Sequence, residues 1–187
     1  FSPSTGCDYE VRVYDKDPSK SVDSIEETVN KSDFIFLSVP TPSNMDGTIN
    51  LDTVDKALSD INNVSKKDNI ILLRSTMIPG STRTFQNKYP DLNLVFNPEF
   101  LTERSANFDF INQSRFICGG EKTNTEKVVE LFKWRFGNSV AILETNYESA
   151  ELIKYMANTF FATKISFLND MKLLSDKSNA NWEDVIE

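Results

Sequence analysis

The 187-residue chain is predicted to be an α/β protein with a doubly wound, mostly parallel sheet, followed by one long helix. Three observations support this fold class. Apolar strand-like runs alternate with amphipathic helical segments, several runs are apolar at nearly every position, and residues 148–174 form a helical pattern without Gly or Pro. Strands that are apolar on both faces are typical of parallel sheets covered by helices on both sides.

The first elements follow this alternation. Val11–Asp15 alternates apolar and polar residues and is predicted to be a strand that ends in an acid. Ser21–Lys31 has apolar residues at helical spacing. Asp33–Val39 is a nearly continuous apolar run and therefore a candidate buried strand, and Pro40–Gly47 is too rich in Pro, Asn and Gly to be anything but a loop.

The next stretch repeats the same pattern. Asn50 is a candidate cap for a helix over residues 51–64, because asparagine accepts hydrogen bonds from the free N–H groups of a first turn. Asn69–Leu73 is a second buried strand, and it ends in the polar turn Arg74–Thr82, which leads into a short helix. A third strand, Leu92–Phe96, follows.

The loop Asn97–Glu103 is the most informative stretch of the chain. Pro98 cannot lie inside a central strand, so the backbone must turn over the edge of the sheet there. Two acids, Glu99 and Glu103, stand four residues apart in this loop, and loops at the edge of a sheet often hold functional residues. The alternative is that both acids stabilise the N-terminus of a helix that begins near Ser105.

The last third of the chain ends in a long helix. Arg115–Cys118 and Ser139–Leu143 are predicted strands, with a helix over Thr123–Phe136 between them. The helix from Glu148 to about residue 174 has wide apolar coverage, which predicts contact on more than one side and a homodimer formed through it. A further helix begins near Asn181.

Candidate functional groups follow the ends of the predicted strands. Ligands of doubly wound sheets bind beyond the carboxyl ends of the strands, so these groups are expected to share one crevice. They are Asp15, Pro40-Thr41-Pro42, Ser75-Thr76 and the acids Glu99 and Glu103. Lys154 and Asn158 lie four residues apart and therefore on one face of the long helix. They are either solvated surface groups or donors aimed at a developing oxyanion, the second only if the loop faces this helix.

Composition excludes several classes of function. The net charge is −8, and the basic residues form no stripe, so nucleic-acid binding is not expected. The absence of histidine excludes Ser-His-Asp triads and the commoner zinc sites, and no metal site is expected. Two cysteines, Cys7 and Cys118, are too few for a disulfide framework. No apolar run is long enough to span a bilayer and the first residues do not resemble a signal peptide, which predicts a cytoplasmic protein without membrane contact.

Five motifs occur in a specific order along nearly the whole chain. They are Val13–Asp15, Leu37–Pro42, Ser75–Gly80, Asn97–Ala106 and Glu148–Asn158. Together they resemble the UDP-glucose/GDP-mannose dehydrogenase family, whose members use NAD to oxidise the C6 alcohol of a nucleotide sugar to the uronic acid. The resemblance implies a Rossmann-like NAD-binding domain over residues 1–144, and the start of a central helical and dimerisation domain over residues 145–187.

The resemblance also implies the roles of single residues. Asp15 would bind the adenosine ribose of NAD, with Lys20 nearby. The cofactor would be lined by Val39, Pro40, Thr41, Pro42, Ser75, Thr76 and Glu103. The sugar would be held by Glu99, Phe100, Leu101, Thr102, Glu103, Lys154 and Asn158.

Four of these residues are candidates for the chemistry itself. In the family's mechanism a cysteine attacks the aldehyde formed by the first hydride transfer, a second transfer gives a thioester, and water hydrolyses it. Glu99 would be the acid/base that works through water, while Lys154 and Asn158 would stabilise the oxyanion. Thr76 is a candidate catalytic hydroxyl, although a threonine in this position is also a common helix cap. Burial would lower the pKa of Lys154 and let it act as a base.

Two features depart from the family pattern. The chain has no G-x-G-x-x-G turn, and the family's nucleophilic cysteine lies downstream of the helix that carries Lys154. Cys118 lies before that helix and is expected to be an inert buried thiol. The chain is therefore expected to be an internal portion of such an enzyme and catalytically silent by itself.

Two other functions stay open at this point. A β-hydroxyacid or 6-phosphogluconate type dehydrogenase also combines a dinucleotide-binding domain with a Lys-x-x-x-Asn helix, and it needs no cysteine. The loops Pro40-Thr41-Pro42 and Glu99–Glu103 argue against it. The other possibility is a non-catalytic module that binds sugar nucleotides or dimerises through the helix 148–174.

Overall fold

Five strands form one sheet in the computed structural model of the chain, which describes residues 9–101, 104–113 and 115–187. They are β1 (Phe34–Leu37), β2 (Ile70–Leu73), β3 (Asn93–Phe96), β4 (Arg115–Gly120) and β5 (Ala141–Thr145). Strands that follow one another in the chain are neighbours in the sheet. β1, β2 and β3 are parallel, β4 and β5 are parallel, and only the junction of β3 with β4 is antiparallel among these pairs. The predicted mostly parallel α/β sheet is confirmed.

Helices connect the strands and cover both faces of the sheet. They are α1 (Ile25–Lys31), α2 (Asp52–Val64), α3 (Ser81–Lys88), α4 (Ala106–Ile111), α5 (Lys122–Phe136), α6 (Tyr147–Ser178) and α7 (Trp182–Ile186). Successive residues of β2 point to opposite sides, because side chains alternate along a strand. Ile71 and Leu73 lie in one apolar cluster with residues of α2 and α3, whereas Ile70 and Leu72 lie in a second apolar cluster with Phe132 of α5.

Polar side chains accept hydrogen bonds from N–H groups at the starts of three helices, and Asn50 among them is the cap predicted from the sequence. Ser24 accepts a hydrogen bond from the N–H of Glu27 and caps α1, which is shorter than the predicted helix over residues 21–31. The side-chain oxygen of Asn50 accepts a hydrogen bond from the N–H of Asp52, the first residue of α2. Asn146 accepts from the N–H of Ser149 and caps α6.

The predicted strand at Val11–Asp15 is not formed. Its apolar residues Val11 and Val13 are exposed, and the carbonyl of Val13 accepts hydrogen bonds from the N–H groups of Val22 and Asp23 instead of from a strand. A strand needs a neighbour to satisfy its backbone, and none of the described residues pairs with this segment.

The long helix α6 has two parts that differ in burial. Tyr147 and Ala150 are fully buried in the same apolar core as the strands, and Ile153 packs against that core. From Tyr155 onward most of the large apolar side chains are exposed, for example Phe160, which is 64% exposed. The helix therefore starts inside the core of the sheet and extends away from it for most of its 32 residues. Among the described residues, no helix combines the length and the apolar content that a bilayer crossing requires.

Candidate active site

A series of hydrogen bonds between polar groups runs across the ends of three strands. Arg74 directly follows β2 and Asn97 directly follows β3, and both are buried. The side-chain amide of Asn97 donates to the carbonyl of Ile117 in β4 over 2.7 Å, and its oxygen accepts from Nη1 of Arg74 over 2.5 Å. Arg74 then donates from Nη2 to Oε2 of Glu99 over 3.2 Å. These hydrogen bonds connect the interior of the sheet to the carboxylate of Glu99 at its edge.

Lys154 reaches the same acid from α6. Its Nζ donates to the backbone carbonyl of Glu99 over 2.5 Å and lies 5.1 Å from the centre of the Phe100 ring. Lys154 is 9% exposed, whereas the side chain of Glu99 is 42% exposed. The loop after β3 therefore faces α6, which was the condition for a functional rather than a solvated Lys154.

Burial and neighbouring charges shift the pKa values of this cluster. Desolvation lowers the pKa of Lys154, and the positive charge of Arg74 lowers it further, while the negative charge of Glu99 opposes both effects. Desolvation also lowers the pKa of Arg74, against the opposing effect of Glu99. The cluster thus combines an accessible carboxylate with an ammonium whose proton is easier to remove than usual.

A second group of predicted residues joins the ends of β1 and β2. The hydroxyl of Ser75 donates to the carbonyl of Val39 over 2.5 Å and accepts from the N–H of Val39. The hydroxyl of Thr41 donates to the carbonyl of Thr76 over 3.1 Å. Ser75 and Thr76 directly follow Arg74, so this edge is continuous with the cluster around Glu99.

Asp15 and Lys20 lie in a turn with local contacts. Oδ1 of Asp15 accepts a hydrogen bond from the N–H of Asp17, and its own N–H donates to the hydroxyl of Ser21. Lys20 is exposed, and its Nζ lies 3.8 Å from a carboxylate oxygen of Asp17. Within the described residues, no hydrogen bond or ion pair connects this turn to the cluster around Glu99.

The start of α6 is fixed to α3 by a buried acid. Glu151 accepts hydrogen bonds from the N–H of Gly80 over 2.6 Å, and from the N–H and the hydroxyl of Thr82 over 2.7 Å each. A carboxylate is well placed there, because the first N–H groups of a helix have no partner within it. Burial nevertheless raises the pKa of Glu151, against the opposing effect of these hydrogen bonds. Since Lys154 is one turn further along α6, this contact also determines where Lys154 lies.

Close backbone packing fixes the other side of α6. A Cβ atom placed on Gly119 of β4 would lie 2.4 Å from Cβ of Ala150 and 2.8 Å from the carbonyl oxygen of Asn146. Only glycine allows the helix to approach the strand this closely. The guanidinium of Arg83 also packs over the ring of the buried Tyr147, at 4.8 Å.

The structure brings some predicted residues together and leaves others apart. Glu99, Phe100 and Lys154 are in contact, and Val39, Thr41, Ser75 and Thr76 are in contact. Pro40 and Pro42 are exposed, and Leu101 is half-buried. Asn158 is also exposed, and its side chain forms no hydrogen bond with any described residue. Thr102 and Glu103 lie outside the described residues.

Three residues of this region were not assigned a role from the sequence. The sequence pattern places Arg74 and Asn97 in turns and Glu151 within a helical motif. Arg74 and Asn97 each come directly after a strand that is apolar on both faces. This position could have indicated that they are buried, and a buried polar side chain is expected to form hydrogen bonds. Glu151 is an acid one turn before Lys154, but nothing in the sequence indicates its partners.

Cys118 does not take part in the site. The thiol is fully buried in β4, and burial raises its pKa to about 12. A thiol with such a pKa is almost entirely protonated at neutral pH and is a poor nucleophile. The predicted inert character of Cys118 agrees with its surroundings.

Comparison with protein families matches two adjacent domains of one family. The model of the UDP-glucose/GDP-mannose dehydrogenase family, NAD binding domain, matches residues 13–135. The model of the central domain of the same family matches residues 148–187. The two matches together cover most of the chain and leave only short segments outside.

Two similar proteins are much longer than this chain. A UDP-glucose 6-dehydrogenase from Rickettsia typhi is 32% identical over 183 residues, which are 95% of this chain and 42% of that protein. The uncharacterized protein MJ1054 from Methanocaldococcus jannaschii is 39% identical over 161 residues, which are 82% of this chain and 18% of that protein. The chain thus spans less than half the length of either relative.

Solved structures have the same fold. A UDP-glucose dehydrogenase from Pyrobaculum islandicum superposes with a TM-score of 0.76 and 28% identity, over 89% of this chain and 40% of that chain. A GDP-mannose dehydrogenase from Pseudomonas aeruginosa gives a TM-score of 0.79 at 23% identity, over 89% of this chain and 41% of that chain, which supports the fold alone. The Rossmann-like fold that the family resemblance implies is confirmed.

Proposed function

Because the chain belongs to the UDP-glucose/GDP-mannose dehydrogenase family, we propose that the full-length protein oxidises the C6 alcohol of a nucleotide sugar to the uronic acid with NAD. One observation of the structure carries this proposal. Glu99 and Lys154, an acid and a cation from distant parts of the chain, meet at the edge of the sheet beside residues that line the ends of β1 and β2. Dehydrogenation needs such an acid–base pair next to a cofactor.

The residues at the ends of β1 and β2 fit NAD. The carboxylate of Asp15, in the turn before α1, suits the ribose hydroxyls. The hydroxyls of Thr41 and Ser75 donate to the carbonyls of Thr76 and Val39, and their lone pairs can accept hydrogen bonds from the cofactor. We propose that these residues, with Lys20, Val39, Pro40, Pro42 and Glu103, hold the cofactor. NAD would supply the hydride acceptor for both oxidations.

The residues of this chain would hold the sugar and move protons. Glu99 is accessible and can exchange a proton with a water or a sugar hydroxyl, while Arg74 holds one of its oxygens. The ammonium of Lys154 can stabilise a negatively charged oxygen, and Asn158 is one helical turn further along α6 for the same purpose. Phe100, Leu101 and Thr102 belong to the loop that would contact the sugar. Thr76 stays a candidate catalytic hydroxyl.

Kinetic assays of the full-length protein test this function. We expect NADH to form with one of the sugars UDP-glucose, GDP-mannose and UDP-N-acetylmannosamine, and not with 6-phosphogluconate. Glu99→Gln and Lys154→Met should each lower kcat about 100-fold, the usual size of a lost acid–base or electrostatic contribution. Glu130→Gln, which changes an exposed acid of α5, is the matched control and should leave kcat unchanged.

Different results would favour the alternatives. Turnover of 6-phosphogluconate alone would favour the β-hydroxyacid type of dehydrogenase. Calorimetric binding of NADH or UDP-sugars without any turnover would favour a non-catalytic binding module. No turnover and no binding would reject both enzymatic functions. A cytoplasmic location stays a prediction, as does the absence of turnover by residues 1–187 alone.

We also propose that the outer part of α6 forms a homodimer interface. Its large apolar side chains are exposed over several turns, which is unusual for a surface that only contacts water. They include Met156, Phe160, Phe161, Ile165 and Leu173. The proposed division into domains at residue 144 places all of α6 in the second domain, although Tyr147 and Ala150 in its first turns pack in the apolar core of the sheet.

Light scattering of the full-length protein at micromolar concentration tests the dimer. We expect the mass of two chains, and Phe161→Glu should shift the protein toward monomers because it would bury a charge in the interface. Trp134→Glu is a suitable control, because Trp134 is an exposed aromatic residue of α5. A monomeric wild-type protein would reject the proposed interface.

A further inference from the structure

Arg74 is a buried cation with an unusual choice of partners. Its side chain is 6% exposed, yet its one carboxylate partner among the described residues, Glu99, is 42% exposed. Burying a guanidinium is costly, and an apolar residue of similar size is often at least as stabilising in such a place. The ion pair between Arg74 and Glu99 is therefore expected to add little to the stability of the fold. It does place a rigid donor against an accessible acid.

The guanidinium is held in place on several sides. Its Nη1 donates to the side-chain oxygen of Asn97. The side-chain amide of Asn97 donates one hydrogen bond to the carbonyl of Ile117 in β4, and its backbone N–H donates to the carbonyl of Leu73. The rings of Phe36 and Phe110 lie 5.9 Å and 5.6 Å from the guanidinium carbon. With these contacts made, Nη2 has little freedom, and its direction determines where Oε2 of Glu99 can lie.

Glu99 is thus held at two points by two cations. Arg74 binds the carboxylate, and Lys154 binds the backbone carbonyl of the same residue. A surface glutamate has several rotatable bonds and would otherwise sample many positions. Restricting it to one position brings an acid–base group close to its reaction geometry before the substrate arrives, which is a large source of rate enhancement.

We infer that Arg74 is a positioning residue, which orients the carboxylate of Glu99 for proton transfer to and from the substrate. This inference rests on the proposed dehydrogenase function. Arg74 acts through Glu99 and need not touch the substrate. Its loss therefore affects the rate of the chemical step and leaves the binding of substrate and cofactor largely intact.

Kinetics of the full-length protein with Arg74→Met tests this role. We expect kcat to fall about 100-fold, as for loss of an acid–base group, while KM for the nucleotide sugar and for NAD stays within about twofold. Arg74→Lys keeps the charge without the two-pronged geometry and should recover about one tenth of the wild-type kcat. Arg74→Gln provides the same comparison if Arg74→Met does not fold, and thermal unfolding checks the fold of each variant.

Arg135→Met is the matched control. The guanidinium of Arg135 also packs over a phenylalanine ring, that of Phe136 at 5.4 Å, but it belongs to α5 and has no contact with Glu99. A folded Arg74→Met variant with nearly wild-type kcat would overturn the inference if Glu99→Gln is slow. A rise in both KM values with unchanged kcat would overturn it too, because that is the signature of a binding or structural role.

Failure of the proposed function can be told apart from failure of this inference. If the wild-type protein oxidises no nucleotide sugar, the proposed function is wrong whatever Arg74 does. Crystal structures of the wild-type and Arg74→Lys or Arg74→Gln proteins then decide the positioning role. A Glu99 carboxylate that moves or loses order in the variant supports it, and an unmoved carboxylate overturns it.

Discussion

Replacing Glu151 by alanine is expected to destabilise the fold strongly. The side chain is fully buried and accepts three hydrogen bonds, from the N–H of Gly80 and from the N–H and hydroxyl of Thr82. Alanine would leave these donors without a partner at the start of α3. It would also loosen the contact that holds α6, and with it Lys154, against the sheet.

The size of the effect follows from the number of bonds. Each hydrogen bond to a charged group contributes about 1.5–3 kcal/mol, and each unpaired buried donor costs about 1–3 kcal/mol. Desolvation of the carboxylate, which raises the pKa of Glu151, offsets part of this stabilisation. We therefore expect Glu151→Ala to lower the free energy of unfolding by about 3–5 kcal/mol. Glu151→Gln, which keeps the volume and one acceptor oxygen, should lower it by about 1–3 kcal/mol.

Urea unfolding followed by circular dichroism measures these differences in the full-length protein. The pH dependence adds an independent check. Because the pKa of Glu151 is raised in the folded state, the pH-dependent part of its contribution to stability is fully present below the ordinary value of 4.5 and is lost as the pH rises through the folded value. The deficit of Glu151→Gln relative to the wild type should therefore grow as the pH is lowered from 7 toward about 5.

The matched control is Glu130→Ala, which changes an exposed acid of α5 and should alter stability by no more than about 0.5 kcal/mol. If Glu151→Ala were as mild as this control, the buried carboxylate would not be what joins α3 to α6. A deficit of Glu151→Gln that shrinks on acidification would show that the pKa shift has the opposite sign.

Three further predictions concern the same face of the sheet. Gly119→Ala should destabilise the fold by about 1–3 kcal/mol or more in urea unfolding, because the new Cβ would overlap Ala150, and Ala150→Gly in the same chain should restore part of the loss. Since the pKa of Lys154 is lowered, its contribution to stability is present above 10.5 and is lost as the pH falls through the folded value. Thermal unfolding should therefore show the stability of the wild type relative to Lys154→Met rising with pH from 7 toward about 10. Cys118 should resist iodoacetamide at pH 8 in the native protein and react once it is unfolded in urea, because burial raises its pKa to about 12.

Specific outcomes would contradict these predictions. An unchanged stability of Gly119→Ala would mean that α6 lies further from β4 than the structure shows. A Lys154 effect that falls with pH would mean that its charged form is favoured in the folded state. Rapid alkylation of Cys118 in the native protein would mean that β4 opens readily, since a buried thiol reacts only after exposure.

The sequence predicted the sheet well because burial on both faces leaves a clear signal. The run at Ile70–Leu73 has no polar residue, and it forms β2, which has a strand on each side. The same reasoning failed at Val11–Asp15, where the alternating pattern is present but no strand among residues 9–101, 104–113 and 115–187 pairs with it. A pattern reports which residues favour a strand, whereas the backbone hydrogen bonds of a strand come from its partners.

The candidate site was predicted in outline and incompletely in detail. Strand-end positions correctly grouped Ser75 with Val39, because parallel strands bring their carboxyl ends together. Asn158 shares a helix face with Lys154 in the sequence pattern, yet only Lys154 is buried against the loop. Helical spacing predicts which side chains share a face, but the depth of each depends on how the helix crosses the sheet.

The sequence by itself determined the α/β class, the ordered family motifs and two separate candidates for the chemistry, Glu99 and Lys154. It did so because burial, helix capping and motif spacing are local properties of the chain. Only the tertiary structure decided that Arg74 and Lys154 hold Glu99 at its two ends and that Glu151 joins α6 to α3. These contacts join residues up to 71 positions apart, and no local pattern encodes which buried charges will meet once the helices pack.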